Sequence, residues 1–150
     1  MKRAIAYLSI SIFIAYLTRE VLYKGVRNNK NGEYHKLTAI FQKHNLYNAI
    51  FIGSSRAESH FNPQIIDSIT HLNSFNIGIA GATMPIILGC LEAYLQNSKS
   101  PKYVIMNIDF QSFDRNKDTI YNFPRYFPYL DNDKLYNSLN KLDARFLFFK

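Results

Sequence analysis

The chain of 150 residues has no tryptophan and a single cysteine, Cys90. One thiol builds neither a disulfide framework nor a thiolate metal site within one chain. The four histidines, His35, His44, His60 and His71, show no HExxH or HxH spacing, so no metal centre is expected. No glycine-rich turn ends in Gly-Lys-Ser or Gly-Lys-Thr, and Gly78-x-x-Gly81 is too short for a dinucleotide fingerprint. No cofactor is therefore expected. The formal charge is +7, but its carriers are scattered: Lys24, Arg27, Lys30, Lys36, Lys43, then Lys99, Lys102 and Arg115. No run interleaves basic and aromatic residues along one helix face, so nucleic acid is not an expected partner. No internal repeat is visible, and no histidine follows Asp114.

What is present argues for a folded, membrane-associated chain. Hydrophobic residues make up 47% and aromatics 15%, all Tyr and Phe, a composition unlike that of disordered chains. Residues 4–18, AIAYLSISIFIAYLT, carry no charge and follow Lys2 and Arg3. As a helix they span roughly 22 Å, and Val21, Leu22 and Tyr23 extend the span if Arg19 snorkels toward the surface. A cleaved signal peptide is the alternative, but no A-x-A site follows. Residues 1–23 are read as an uncleaved single-pass anchor with membrane lipid as partner. Lys and Arg are more numerous after the span than before it, which taken alone puts the bulk of the chain in the cytoplasm. Basic residues beside the span suit anionic headgroups. Residues 24–46 read as a polar stalk with a short helix at its end, and 47–150 as the folded domain.

Beyond the stalk the pattern is α/β. Asn48–Ile52 is a compact apolar run ending at Gly53, as in a buried parallel strand. Asn62-Pro63 reads as an N-cap with proline at the first helical position. Residues 74–79 form a second strand, Met84–Asn97 a helix, Tyr103–Ile108 a third strand, and 132–142 a last helix. A β-α-β-α-β order implies a parallel sheet with right-handed crossovers.

In such sheets ligands bind outside the carboxyl ends of the strands. Three ends are legible: Gly53-Ser54-Ser55-Arg56, Asn76-Ile-Gly78-Ile-Ala-Gly81, and Asp109-Phe-Gln111-Ser112. A serine on a tight turn after a strand offers an exposed hydroxyl and nearby N–H groups, the parts needed for acyl transfer.

The block IFIGSSR resembles the first block of the SGNH (GDSL-type) hydrolase superfamily, and FNIGIAGAT resembles its second. With the third strand end, the set looks especially like membrane-anchored bacterial proteins that modify cell-surface polymers. The resemblance covers residues 48–114 and implies a three-layer, flavodoxin-like parallel sheet, incomplete at the C-terminus. It also implies an extracytoplasmic domain at the cell envelope. It makes Ser55 the nucleophile, and Ser55, Gly81 and Gln111 the oxyanion donors. Arg56, Asn76 and Asp109 would bind or orient the substrate, an acylated glycan or small ester. The family's third block is G-x-N-D where this chain reads IDFQSFD, which makes Gln111 the nearest carboxamide. The family's D-x-x-H block, source of the general base, is not present.

Plainer readings stand beside these. Gly53-Ser54-Ser55 also suits an ordinary strand-to-loop turn, and Gly78 and Gly81 also suit close packing. Arg56 suits either a substrate anion or an ion pair with Asp109. His60 follows Ser55 by five residues, yet local geometry points it away from the strand end. Tyr121, Tyr126, Phe127 and Tyr129 suit a sugar-binding surface or a core, and Cys90 reads as buried and inert. Gly53-x-Ser55-x-Ala57 resembles an α/β-hydrolase elbow, but that elbow normally follows several strands. A catalytically inactive, membrane-anchored module that binds glycan or assists assembly is the competing function.

Overall fold

The computed structural model describes residues 2–29, 32–42, 46–113 and 120–148. Helix α1, Lys2–Arg27, has no buried residue, and it is long and apolar enough to cross a membrane. At 1.5 Å per residue it measures roughly 39 Å, more than the ~30 Å of a bilayer's hydrocarbon. No proline interrupts it, and two of its hydroxyl side chains bond back into the helix, Ser9 to Ile5 O and Thr18 to Ile14 O. Those two hydroxyls thus find acceptors within the helix itself.

The stretch expected to be a stalk is largely helical. Residues 24–27 complete α1, and Gly32–Phe41 form α2. Leu37, Ile40 and Phe41 of α2 lie in the hydrophobic core. Two polar residues of that stretch reach partners in the body: Lys36 pairs with Glu58, and Glu33 with Arg125. The end of α1 is joined to this body as well. Arg27 Nε donates to Pro128 O at 2.5 Å, and Nη2 lies 3.3 Å from Asp131 Oδ1. The Thr38 hydroxyl donates to Arg27 O at 3.0 Å and lies 2.8 Å from the Tyr129 hydroxyl.

The sheet follows the sequence pattern. Strands β1 (Ala49–Ile52), β2 (Ser74–Asn76) and β3 (Tyr103–Met106) are parallel in the order β2-β1-β3. Ile50 pairs with Phe75 on one side and Val104 on the other. The ladder runs beyond the formal strands, as Ile77 N–H bonds Phe51 O and Asn107 N–H bonds Ile52 O. Helices α3 (Ser55–His60) and α4 (Pro63–Thr70) connect β1 to β2, and α5 (Met84–Asn97) connects β2 to β3. The Asn62 side chain accepts from Gln64 N and Ile65 N, the cap that Asn-Pro implied. Alternation along β1 divides the two faces. Ile50 and Ile52 join the main core, while Phe51 stacks on Phe61 at 4.8 Å.

The main core gathers α2, α5, α6 (Asp133–Leu142) and the 3₁₀ segment Phe123–Tyr129, through Ile86, Tyr94, Tyr126, Tyr129, Leu135 and Leu139. Tyr126 and Tyr129 are therefore core residues. Cys90 is buried among them, and burial pushes its thiol up to about 12. Burial likewise raises the Tyr126 hydroxyl, against the lowering effect of Arg125. Both groups stay protonated in the fold at pH values where the unfolded chain ionises. Their contribution is thus complete below the ordinary thiol value of 9.0 and declines as pH rises toward the folded value. Thermal unfolding scanned from about pH 7 to about pH 11 should show Tm falling above about pH 9, less steeply in Cys90→Ala. Identical slopes for the two proteins would refute the assignment.

Candidate functional site

The chain passes from β1 to β2 on one side and then crosses to β3 on the other, so the topological switch point lies between β1 and β3. That is where an open α/β sheet leaves a crevice. The residues after β1 and β3 meet there. Ser54 Oγ donates to Asp109 Oδ2 at 2.5 Å. Arg56 Nη1 stands 3.2 Å from Asp109 Oδ1, an ion pair whose angle does not make a hydrogen bond. The Asp109 carboxylate is almost enclosed while the Arg56 side chain is 66% exposed. Asp109 N–H in turn bonds Ser112 Oγ at 3.1 Å, closing the turn after β3.

Ser55 is the first residue of α3 and is exposed. No hydrogen bond among the described residues engages its hydroxyl. Its N–H belongs to the first turn of a helix, where backbone donors have no intrahelical acceptor. The buried carboxylate therefore holds Ser54, the neighbour, and leaves Ser55 facing outward. His60 points elsewhere, its Nδ1 lying 2.9 Å from Arg56 O. Among the described residues no histidine is bonded to Ser55.

The second strand end is fastened to α3. Asn76 is buried, and its Nδ2 donates to Ala57 O at 2.8 Å, Glu58 O at 3.2 Å and Phe61 O at 2.8 Å. Its Oδ1 accepts from Gly78 N at 2.9 Å. Asn76, expected to bind or orient the substrate, closes the carboxyl end of α3 with its amide. Gly78 then passes so near α3 that a Cβ there would lie 2.6 Å from Glu58 N. The turn ends at Gly81, with φ +69 and the Tyr121 ring packed against it. Gly81 is exposed, and no hydrogen bond among the described residues engages its N–H. The Gln111 backbone lies in the 3₁₀ turn Phe110–Phe113, but its side chain lies outside the described residues.

Several residues of this arrangement were not singled out in the sequence. Glu58 Oε2 accepts from Ala80 N at 2.8 Å, and its Oε1 pairs with Lys36 Nζ at 2.8 Å. Lys36 also donates to Gly78 O at 2.7 Å. Arg125 is only 1% exposed; its Nη2 donates to Ala80 O at 2.8 Å and to the Tyr126 hydroxyl at 2.7 Å, and its Nη1 pairs with Glu33. A lone arginine amid the aromatics of YNFPRYFPYL was the available signal, since a charge in an apolar run needs buried partners.

Among the described residues, two clefts lie away from the strand ends. One of about 390 Å³ sits where α1 meets α2, lined by residues that include Tyr23, Lys24, Arg27 and Gln42. The other, about 250 Å³, lies beside Asn97 and Asp131. Among the described residues no cluster of three His, Cys, Asp or Glu side chains is placed to hold a metal ion.

The Asn76 amide is the joint between the second strand end and α3. Asn76→Asp replaces its donor with an oxygen that faces three carbonyls, and should cost about 2 kcal/mol or more of unfolding free energy in urea titration. Gly78→Ala should cost about 1–3 kcal/mol by overpacking against α3. Wild-type stability in both variants would disprove the joint. Searches of family models, curated proteins and solved structures find no match to this chain.

Proposed function

We propose that the strand-end face is the acyl site of an SGNH-type domain, with Ser55 as nucleophile of a serine esterase or acyltransferase acting on acylated cell-surface carbohydrate. The observation that carries this reading is the placement of Ser55. It is exposed, at the start of α3 directly after the central strand, with Ser54 and Arg56 on either side held to Asp109 across the switch point. In the proposed reaction Ser55 Oγ adds to the ester carbonyl carbon and the bond to the sugar oxygen breaks. The Ser55 proton goes to the departing sugar oxygen, and water or a second hydroxyl then takes the acyl group and returns a proton to Ser55 Oγ. The N–H groups of Ser55 and Gly81 supply the oxyanion donors, with the Gln111 carboxamide as a third. Arg56 sits at the rim, exposed enough to meet an anionic substituent on the substrate. The strand order β2-β1-β3 supports the flavodoxin-like, three-layer assignment.

A second reading is favoured by the position of His60, whose ring is turned to Arg56 O. With no described histidine on Ser55, a non-catalytic domain that binds glycan or assists assembly uses the same face. The full chain in detergent micelles, treated with a fluorophosphonate probe, separates the two. Covalent labelling of wild type and none of Ser55→Ala is the expected result. Labelling that survives the substitution sinks the nucleophile assignment. An unlabelled protein that binds glycan equally well with and without Ser55→Ala establishes the second reading.

The same proposal anchors α1 in the membrane with the domain outside the cytoplasm. Alkaline phosphatase fused after Lys150 should then be active in intact bacteria, and an inactive, stable fusion places the domain inside.

A further inference from the structure

We infer that Arg125 is a positioning residue for this site, setting the direction of the Gly81 N–H; the inference rests on the acyl-site reading above. The physical step is the planarity of the peptide bond. In a trans peptide the C=O of one residue and the N–H of the next point in opposite directions, so holding one aims the other. The carbonyl that Arg125 Nη2 holds, Ala80 O at 2.8 Å, shares its peptide plane with the Gly81 N–H. The preceding peptide is fixed from the other side, as Ala80 N–H donates to Glu58 Oε2 at 2.8 Å. Two consecutive peptides are thereby fastened by ionised side chains, and charge-assisted bonds of this kind are stronger than neutral ones.

The guanidinium is itself held by its surroundings. Glu33 of α2 takes Nη1, the Tyr126 hydroxyl lies 2.7 Å from Nη2, and the Tyr126 ring lies 4.7 Å from the guanidinium carbon. The same carbon stands 5.7 Å from the ring of Tyr121, which packs against Gly81. One buried cation therefore orients both the turn and the aromatic ring lying against it. A turn containing a glycine at φ +69 gives up conformational freedom when it is ordered, and an external clamp supplies that order. The Gly81 N–H is left without a partner among the described residues, as an oxyanion donor waiting for charge must be.

The test compares Arg125→Met, Arg125→Lys and Tyr126→Phe with wild type as full chains in detergent micelles. The saturation kinetics of fluorophosphonate labelling at Ser55 give the maximal rate and the half-saturating probe concentration. Arg125→Met should lower the maximal rate about tenfold or more, with half-saturation unchanged, since the donor acts on the oxyanion rather than on probe binding. Arg125→Lys keeps the charge but loses the fork and should recover part of the rate. Wild-type rates in a folded Arg125→Met overturn the inference, as does a loss expressed only in half-saturation. If Arg125→Met does not fold, the Lys and Phe variants carry the same comparison.

Amide hydrogen exchange gives a second readout independent of reactivity. Ala80 and Ala82 should exchange faster in Arg125→Lys, while Ile77 and Asn107, bonded to β1, remain protected. If wild-type Ser55 proves unreactive the acyl-site reading falls, and exchange decides the clamp: unchanged rates at Ala80 and Ala82 overturn it.

Discussion

Strand β1 carries a parallel partner on each edge, and parallel partners cannot be joined by tight turns. Each connection must leave the sheet, run back along it and re-enter from the same end. All three strands therefore finish together, and their last backbone groups and first loop residues crowd one edge of the molecule. That crowding brings Ser54, Arg56 and Asp109 into contact although the aspartate is over fifty positions from the serine. It also forces the second strand end against α3, where the Asn76 amide donates to three carbonyls at the end of that helix, Ala57 O, Glu58 O and Phe61 O.

The loops at that edge depend on one buried and three half-buried charges behind them. Lys36 and Glu33 come from α2, Glu58 from α3 and Arg125 from the 3₁₀ segment, and each binds either the 78–81 turn or the partner of a group that does. Buried ion pairs seldom add much stability over apolar side chains of similar size, but leaving one partner alone is strongly unfavourable. Their contribution here is geometric. They permit one arrangement of the turn and penalise the others.

Elements governed by local rules were legible in the chain. Asn62-Pro63 starts a helix because the side chain caps and the ring suits the first turn, and Met84–Asn97 reads at its true length. The compact apolar run Asn48–Ile52 reads as a buried strand, and its four strand residues are buried. Where polar residues find partners distant in sequence, the local pattern misled. Glu33 and Lys36 suggested a solvated stalk because their partners lie 92 and 22 residues away, a separation no window detects. Asn76 was legible as important but not as an internal brace. Arg125 went unnoticed because its role is defined entirely by what surrounds it. Ser55, Gly81 and Asp109 were singled out from their order at successive strand ends, which is itself a topological rule.

Arg27 joins α1 to the body through Pro128 and Asp131, and Thr38 fastens the last carbonyl of the same helix. With α1 in a bilayer, such a joint removes the slack that a flexible tether would provide. A loose tether lets a site sample many heights at modest local concentration; a stiff one confines it to a thin shell. A ligand held at that depth meets the strand-end face at high effective concentration, while one above or below it is out of reach. Adding residues between α1 and α2 would therefore widen the range of heights the face samples and dilute each encounter.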